Sequence, residues 1–384
     1  MGRNVFTGRE VQLEVAGGRI ASVSDLAPGA KDPAALPWLA PGFVDVQSNG
    51  YGGQEFSSLD LTPEKVAEIA AKQASFGVTQ FCPTVTTASR ETILHALAAI
   101  AQACRRWPEV DRTVAGIHLE GPYLSPEDGP RGAHPLEHCR PPDWREFCSF
   151  QEAAGNRIRI VTLAVEYRES PAFIAQAKAA GVVAAIGHTS ADSSQIRAAV
   201  DAGAALSTHL GNGAHRALRR HPNYLWDQLA EDRLLASLIV DGHHLPPEVV
   251  KTFVRAKTPA RCILVSDLSG LAGMPPGRYD TELCELEILP DGRLVIAGQE
   301  QLLAGASRPI GYGVANVMRF ASVDLPTAVE MASTRPAQLV GLPARRIESG
   351  AAADLVLFDL DQGDAPSKLT VRSTLVQGQL TYSA

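Results

Sequence analysis

Carboxylates and imidazoles recur in this chain at the ends of short apolar runs. Asp45, Gln47 and Asn49 close FVDVQSNG, and His118 and Glu120 close IHLEG. Further along stand His188 in IGHTS, His209 in STHLGNG, Asp241 and His244 in VDGHH, and Asp267 in LVSDLSG. Most are followed within three residues by Gly, Ser, Thr or Asn, residues that end strands and open turns. One polar residue at a strand end is commonplace. Five or six at the same end of successive strands is what an active site on a parallel barrel requires. Within this set, Glu120, His188 and His209 supply one carboxylate and two imidazoles. That donor set suits a divalent catalytic metal with one position open to water. The three residues sit on separate predicted strands, so no compact motif such as HExxH announces them. Asp267 is the remaining strand-end carboxylate. It suits either a general base beside an activated water or the N-cap of the next helix.

The elements that must hold these residues alternate in type. TVAGIHLEG, RIVTLAVE, VVAAIGHTS, ALSTHLGN, LLASLIVDG and RCILVSDLSG read as short buried strands. TPEKVAEIAAKQASFG, SPAFIAQAKAAG, SSQIRAAVDAG and PPEVVKTFVRAK read as amphipathic helices, several closed by glycine. Repeated β–α units of this kind predict a TIM-like (β/α)8 barrel over residues 43–344. The two chain ends differ from this interior but resemble each other. VQLEVAGGRIASVSD shows apolar alternation around a Gly-Gly turn, and ADLVLFDLDQGD with LTVRSTLVQGQLTYS repeats the texture. Residues 1–42 and 345–384 are therefore predicted to fold together as a small β-sandwich domain.

The whole chain has 384 residues, enough for one such barrel with a satellite. Apolar residues make up 45% and charged residues 20%, which excludes disorder and coiled coil. The formal net charge is −7 with no basic run, arguing against nucleic acid or an anionic membrane as partner. MGRNVFTGREVQLEV has no apolar core of a signal peptide, and no stretch approaches a membrane span, so a cytoplasmic protein is expected. Six cysteines without CxxC spacing point to reduced thiols rather than disulfides or a cysteine zinc site. His118, two residues before Glu120, could be a fourth ligand or a histidine that orients Glu120. His215, His221 and His243 are read as loop histidines. GYGVAN lacks the third glycine of a dinucleotide fingerprint.

The motifs also have a familiar order. HLEGPYL, RGAHP, TLAVE, GHTSA, THLGNGAH, RRHP, DGHH and LVSDLSGLAG resemble, in sequence and succession, the N-acetylglucosamine-6-phosphate deacetylases of the amidohydrolase superfamily. PGFVDVQSNGYGG, LAGASRPIGYGVANV, STRPAQLVGLP and RIESGAAADLVLFD extend the resemblance to nearly the whole chain. It implies a metal-dependent barrel hydrolase that removes the acetyl group of N-acetylglucosamine-6-phosphate. Glu120, His188 and His209 would hold one divalent metal, zinc by default, with iron or cobalt satisfying the same donors. Asp267 would take a proton from water and return it to the leaving amine. His134 would polarise the amide carbonyl. Asn212, Gly213 and His244 would meet the sugar and its phosphate. Arg220, eleven residues beyond His209, would reach the phosphate in a neighbouring subunit, which implies a homodimer.

This chain departs from the family at four places. Gln47-Ser48-Asn49 stands where many amidohydrolases carry HxH, implying one metal rather than two. HPNYLWDQLAED follows Arg220, SDLSG surrounds Asp267, and LAGASRP occupies the stretch expected near the acetyl group. A related N-acyl substrate is therefore the alternative: another N-acetylhexosamine phosphate, an unphosphorylated amino sugar or an N-acyl amino acid. A catalytically inactive scaffold should have lost ligands, whereas Glu120, His188, His209 and Asp267 are all retained.

Overall fold

The structure is a computed structural model that describes residues 1–26, 36–281, 284–361 and 368–384. Eight parallel strands form its centre: β1 (Phe43–Ser48), β2 (Val78–Thr86), β3 (Ile117–Glu120), β4 (Ile158–Leu163), β5 (Val183–Ile186), β6 (Leu206–Ser207), β7 (Leu235–Ile239) and β8 (Cys262–Val265). Each pairs with the next in chain order. Beyond β8 the chain returns to β1. Asp267 N donates to the Gln47 carbonyl at 3.0 Å, and Ser48 bridges Leu268 in parallel register. The ring thus closes at its C-terminal end, where the strand-end polar residues stand.

The strands are apolar because both faces are covered. Val44, Val46, Cys82, Ile160, Ala185, Leu206, Ile239 and Ile263 fill one buried cluster in the strand layer. Outside it, Val66, Ile93, Leu97, Ile196, Val250 and Phe253 from the surrounding helices pack into a larger core. The six predicted strands coincide with β3 to β8. The four predicted helices appear as Pro63–Gln73, Ser170–Ala179, Ser193–Ala202 and Pro247–Lys257. Ser193–Ala202 shows why such signals are legible. Asp192 accepts from Ser194 N and Gln195 N, the Gln195 side chain accepts from Asp192 N, and Gly203 ends the helix at φ 118°.

Both termini enter one seven-stranded sheet in the order Gln379–Ser383, Lys368–Val376, Leu355–Asp361, Trp38–Pro41, Gly2–Asn4, Glu10–Ala16, Arg19–Asp25. The predicted hairpin is present, with Gly17 and Gly18 at φ 57° and 77° in its turn, a conformation that favours glycine. Arg19 also bridges Ala352, so the sheet folds back and encloses Val11, Ile20, Leu39, Ala353 and Leu355. This is the β-sandwich expected from the two ends. Its Val356 and Phe358 join the barrel core through Phe43.

A four-stranded antiparallel sheet, absent from the sequence reading, follows β8: Gly277–Asp280, Glu285–Ile288, Leu294–Ile296 and Gln299–Leu303. Its strands are short and half-exposed, which weakens the apolar signal. Asp291-Gly292 at the central turn was the cue available. All six cysteines are unpaired. Among the described residues no helix is long and apolar enough to cross a membrane.

One buried ion pair ties the terminal sheet to the chain leaving the barrel. Arg345 donates to Asp354, both side chains are about 5% exposed or less, and Asp354 also accepts from Gln377 N at 2.7 Å. Arg345→Ala or Asp354→Ala should each cost about 3–5 kcal/mol in urea unfolding, because each strands a buried charge. Replacing both should cost clearly less than the two losses added together. Additive or negligible losses would show that the pair does not couple the two parts.

Candidate active site

Three side chains converge at the C-terminal end of the barrel. Glu120 ends β3, His188 follows β5 and His209 follows β6. Glu120 Oε1 lies 2.9 Å from His209 Nε2 and 3.3 Å from His188 Nε2, and the two imidazole nitrogens are 3.1 Å apart. In a tetrahedral shell with metal–nitrogen bonds near 2.0 Å, neighbouring donors sit roughly 3.3 Å apart. The spacing therefore fits a bound divalent cation. The chemistry fits as well. His188 Nδ1 donates to the Pro130 carbonyl at 2.8 Å, which turns Nε2 toward Glu120 and His209. Lone pairs converging on a buried carboxylate repel unless positive charge lies among them.

The proton affinities report the same demand. Burial opposes the charge on Glu120, yet the adjoining His188 and His209 imidazoles hold its carboxyl well below the usual range. Burial likewise opposes a charged His209, but the bond to Glu120 raises its proton affinity above the ordinary value.

The backbone is bent to make this cluster. His188, His209 and Asp267 adopt left-handed φ angles of 50°, 28° and 52°, rare for non-glycine residues and concentrated where function over-determines geometry. Gly213 answers the same crowding. At φ 56°, any Cβ there would lie 2.7 Å from His188 Nδ1.

Asp267 stands beside the cluster, held by two amides. Asn49 Nδ2 donates to its Oδ1 at 2.8 Å and Gln47 Nε2 at 3.2 Å, while the same Gln47 group donates to Glu120 at 3.1 Å. The Gln47-Ser48-Asn49 stretch thus presents N–H donors to both carboxylates at the end of β1. Burial, then the charge of Glu120, pushes Asp267 up to about 6. His134, from the long loop after β3, packs edge-on against His188 with centroids 4.4 Å apart. A ring nitrogen of His134 lies within 4.8 Å of donor atoms on Glu120 and His188. Its Nδ1 has no hydrogen-bond partner, and burial, then His188, lowers its proton affinity to about 3, keeping the ring neutral.

These groups line one cavity of about 290 Å³ together with Asn49, Asn212, Gly213, His244 and, opposite in sequence, Gln301–Gly305 of the late sheet. His244 is aimed by Asp241, whose carboxylate accepts from His244 Nδ1 at 2.8 Å and from His244 N at 2.9 Å.

A model of the amidohydrolase family matches residues 38–381. N-acetylglucosamine-6-phosphate deacetylase of Bos taurus is 34% identical over 355 residues, covering 90% of this chain and 83% of the relative. N-acetylgalactosamine-6-phosphate deacetylase of Escherichia coli O157:H7 is 32% identical over 371 residues, 96% and 94% of the two chains. A solved variant of the Mycobacterium smegmatis N-acetyl-D-glucosamine-6-phosphate deacetylase, in complex with N-acetyl-D-glucosamine-6-phosphate, superposes with a TM-score of 0.83 at 32% identity. It covers 97% of this chain and 94% of its own. This chain belongs to the N-acetylglucosamine-6-phosphate deacetylase family.

Of the residues that the family resemblance singled out, Glu120, His134, His188, His209, Asn212, Gly213, His244 and Asp267 all reach the cavity. Arg220 does not. It is exposed and lies outside this cavity. Glu55, Ser269 and Arg216 line the wall without having been anticipated; Ser269 lies within SDLSG beside Asp267, while no local motif marks Glu55 or Arg216. His215 stands on a loop, as read, and is tied there to Glu127 at 3.1 Å and Tyr224 at 3.0 Å.

His118 has a separate task within this deacetylase-family barrel. Its Nδ1 donates to the Val46 carbonyl at 3.0 Å and its Nε2 accepts from Thr162 at 2.7 Å, and burial lowers its proton affinity to about 4. Both nitrogens are used, so neither is free for a metal. His118→Ala should leave the metal content of purified protein unchanged while lowering its melting temperature by several degrees. Loss of metal at unchanged stability would instead make His118 a ligand.

Proposed function

We propose that this protein is a one-metal N-deacetylase that hydrolyses the acetamide of N-acetylglucosamine-6-phosphate to glucosamine-6-phosphate and acetate. The observation that carries the reading is the convergence of Glu120, His188 and His209 within one cavity that Asp267 and His134 also line. Zinc is the ion proposed for this donor set. When bound, such a cation supplies Lewis acidity and makes water reactive near neutral pH.

The chain's own residues do the rest. Asp267 accepts a proton as water attacks the acetamide carbonyl and gives it to the amine nitrogen as the C–N bond breaks. Gln47 and Asn49 hold the carboxylate of Asp267 in place for both transfers. His134, neutral and with a nitrogen unspent, donates a hydrogen bond to the developing oxyanion. Asn212, Gly213 and His244 bind the sugar phosphate. Arg220 is assigned to the neighbouring subunit's substrate in a homodimer, in keeping with its place outside its own cavity. The unpaired thiols support a cytoplasmic setting. A second reading, the galacto epimer, draws on the 32% identity to an N-acetylgalactosamine-6-phosphate deacetylase across 96% of this chain.

Acetate release should be measured on N-acetylglucosamine-6-phosphate, N-acetylgalactosamine-6-phosphate and N-acetylglucosamine. The gluco phosphate is expected to be turned over most efficiently. Asp267→Asn should keep the metal and lower turnover by roughly a hundredfold or more, and His134→Ala should behave comparably. Preference for the galacto phosphate would select the second reading. An Asp267→Asn variant of near-normal rate would overturn the mechanism.

A further inference from the structure

The cavity wall contains many polar groups but, among the described residues, a single lysine or arginine. That residue is Arg216. It stands four positions before Arg220, is exposed at the cavity, and has no hydrogen-bond or ion-pair partner among the described residues. Two other arginines near this end are committed. Arg131 pairs with Asp128 and donates to the His134 carbonyl, and Arg308 donates to the Asp241 carbonyl.

The base of Arg216 is fixed even though its guanidinium is free. Its neighbour His215 is held through both ring nitrogens, by Glu127 at 3.1 Å and the Tyr224 hydroxyl at 3.0 Å, and its backbone N donates to the same hydroxyl at 2.9 Å. The loop carrying His134 presses on this point so closely that a Cβ on Gly129 would lie 2.9 Å from His215 Cα. Arg216 therefore stands on an anchored backbone and lines the same cavity as Asn212, Gly213 and His244. A guanidinium left unpaired beside a cavity walled by Glu55, Glu120 and Asp267 is matched by an anionic group on the ligand, which it can grip with two parallel hydrogen bonds.

We propose that Arg216 binds the anionic group of the substrate within its own subunit and is a determinant of specificity for phosphorylated over neutral amino sugars. This rests on the reading that the substrate is a sugar phosphate. It assigns to one chain an anion contact separate from the Arg220 contact expected across a dimer.

The test compares N-acetylglucosamine-6-phosphate with N-acetylglucosamine on wild type, Arg216→Ala and Arg216→Lys. In Arg216→Ala the Michaelis constant for the phosphorylated substrate should rise about tenfold to a hundredfold, with kcat little changed, so that the preference for phosphate collapses. Arg216→Lys should recover part of the preference, since the charge returns without the fork. Mixing Asp267→Asn chains with Arg216→Ala chains should restore no efficient turnover of the phosphorylated substrate, because the intact arginine and the intact aspartate remain in different cavities. The same mixture made with Arg220→Ala should regain activity. A wild type that prefers phosphate, with Arg216→Ala preferring it equally, would overturn this inference alone. So would rescue of Arg216→Ala by mixing, which would place Arg216 across the interface. A wild type indifferent to phosphate would overturn both this inference and the substrate reading beneath it.

Discussion

Three electron-pair donors held about 3 Å apart in a buried place are costly unless positive charge lies among them. Glu120, His188 and His209 are such a set, with separations of 2.9, 3.1 and 3.3 Å. Much of the surrounding structure answers that single constraint. The Pro130 carbonyl fixes the His188 tautomer. Gln47 turns its amide N–H toward Glu120 and Asp267, softening the repulsion between two carboxylates. Left-handed backbone at His188, His209 and Asp267 is sustained because closed barrel strands and tightly packed loops leave the chain no cheaper path.

The barrel brings to one point residues that are far apart in the chain. Glu120 and His209 are 89 positions apart, and Gln47 and Asp267 are 220. Parallel strands deliver their ends to the same face, so the donors meet without any short motif. The loops then add what the strands cannot reach. The loop after β3 carries His134 and Glu127, the loop after β6 carries Gly213, His215 and Arg216, and Glu127–His215 ties the two together. The late four-stranded sheet supplies the remaining wall through Gln301–Gly305.

The barrel was legible in the sequence because buried parallel strands and amphipathic helices have strong, different periods, and because caps such as Asp192 and Gly203 mark their boundaries. Glu120, His188, His209 and Asp267 were legible for the same reason, each closing an apolar run. His134 was not. It lies on a loop with no periodicity, and only the family resemblance of RGAHP singled it out. Arg216 and Glu55 escaped notice because a charged residue on a loop has the same local signature whether it faces solvent or a cavity. The sheet over residues 277–303 escaped because its half-exposed strands dilute the alternation on which such readings depend.

Anomalous diffraction from crystals of purified, metal-loaded protein, collected on both sides of the zinc absorption edge, bears on the convergence of donors itself. One peak per chain should lie within about 2.0–2.2 Å of Glu120, His188 Nε2 and His209 Nε2. Gln47 and Asn49 should remain turned toward Asp267 and make no contact with the ion. A second peak against Gln47 or Asn49, or a single ion bound by His134 in place of His209, would contradict the one-metal site proposed here.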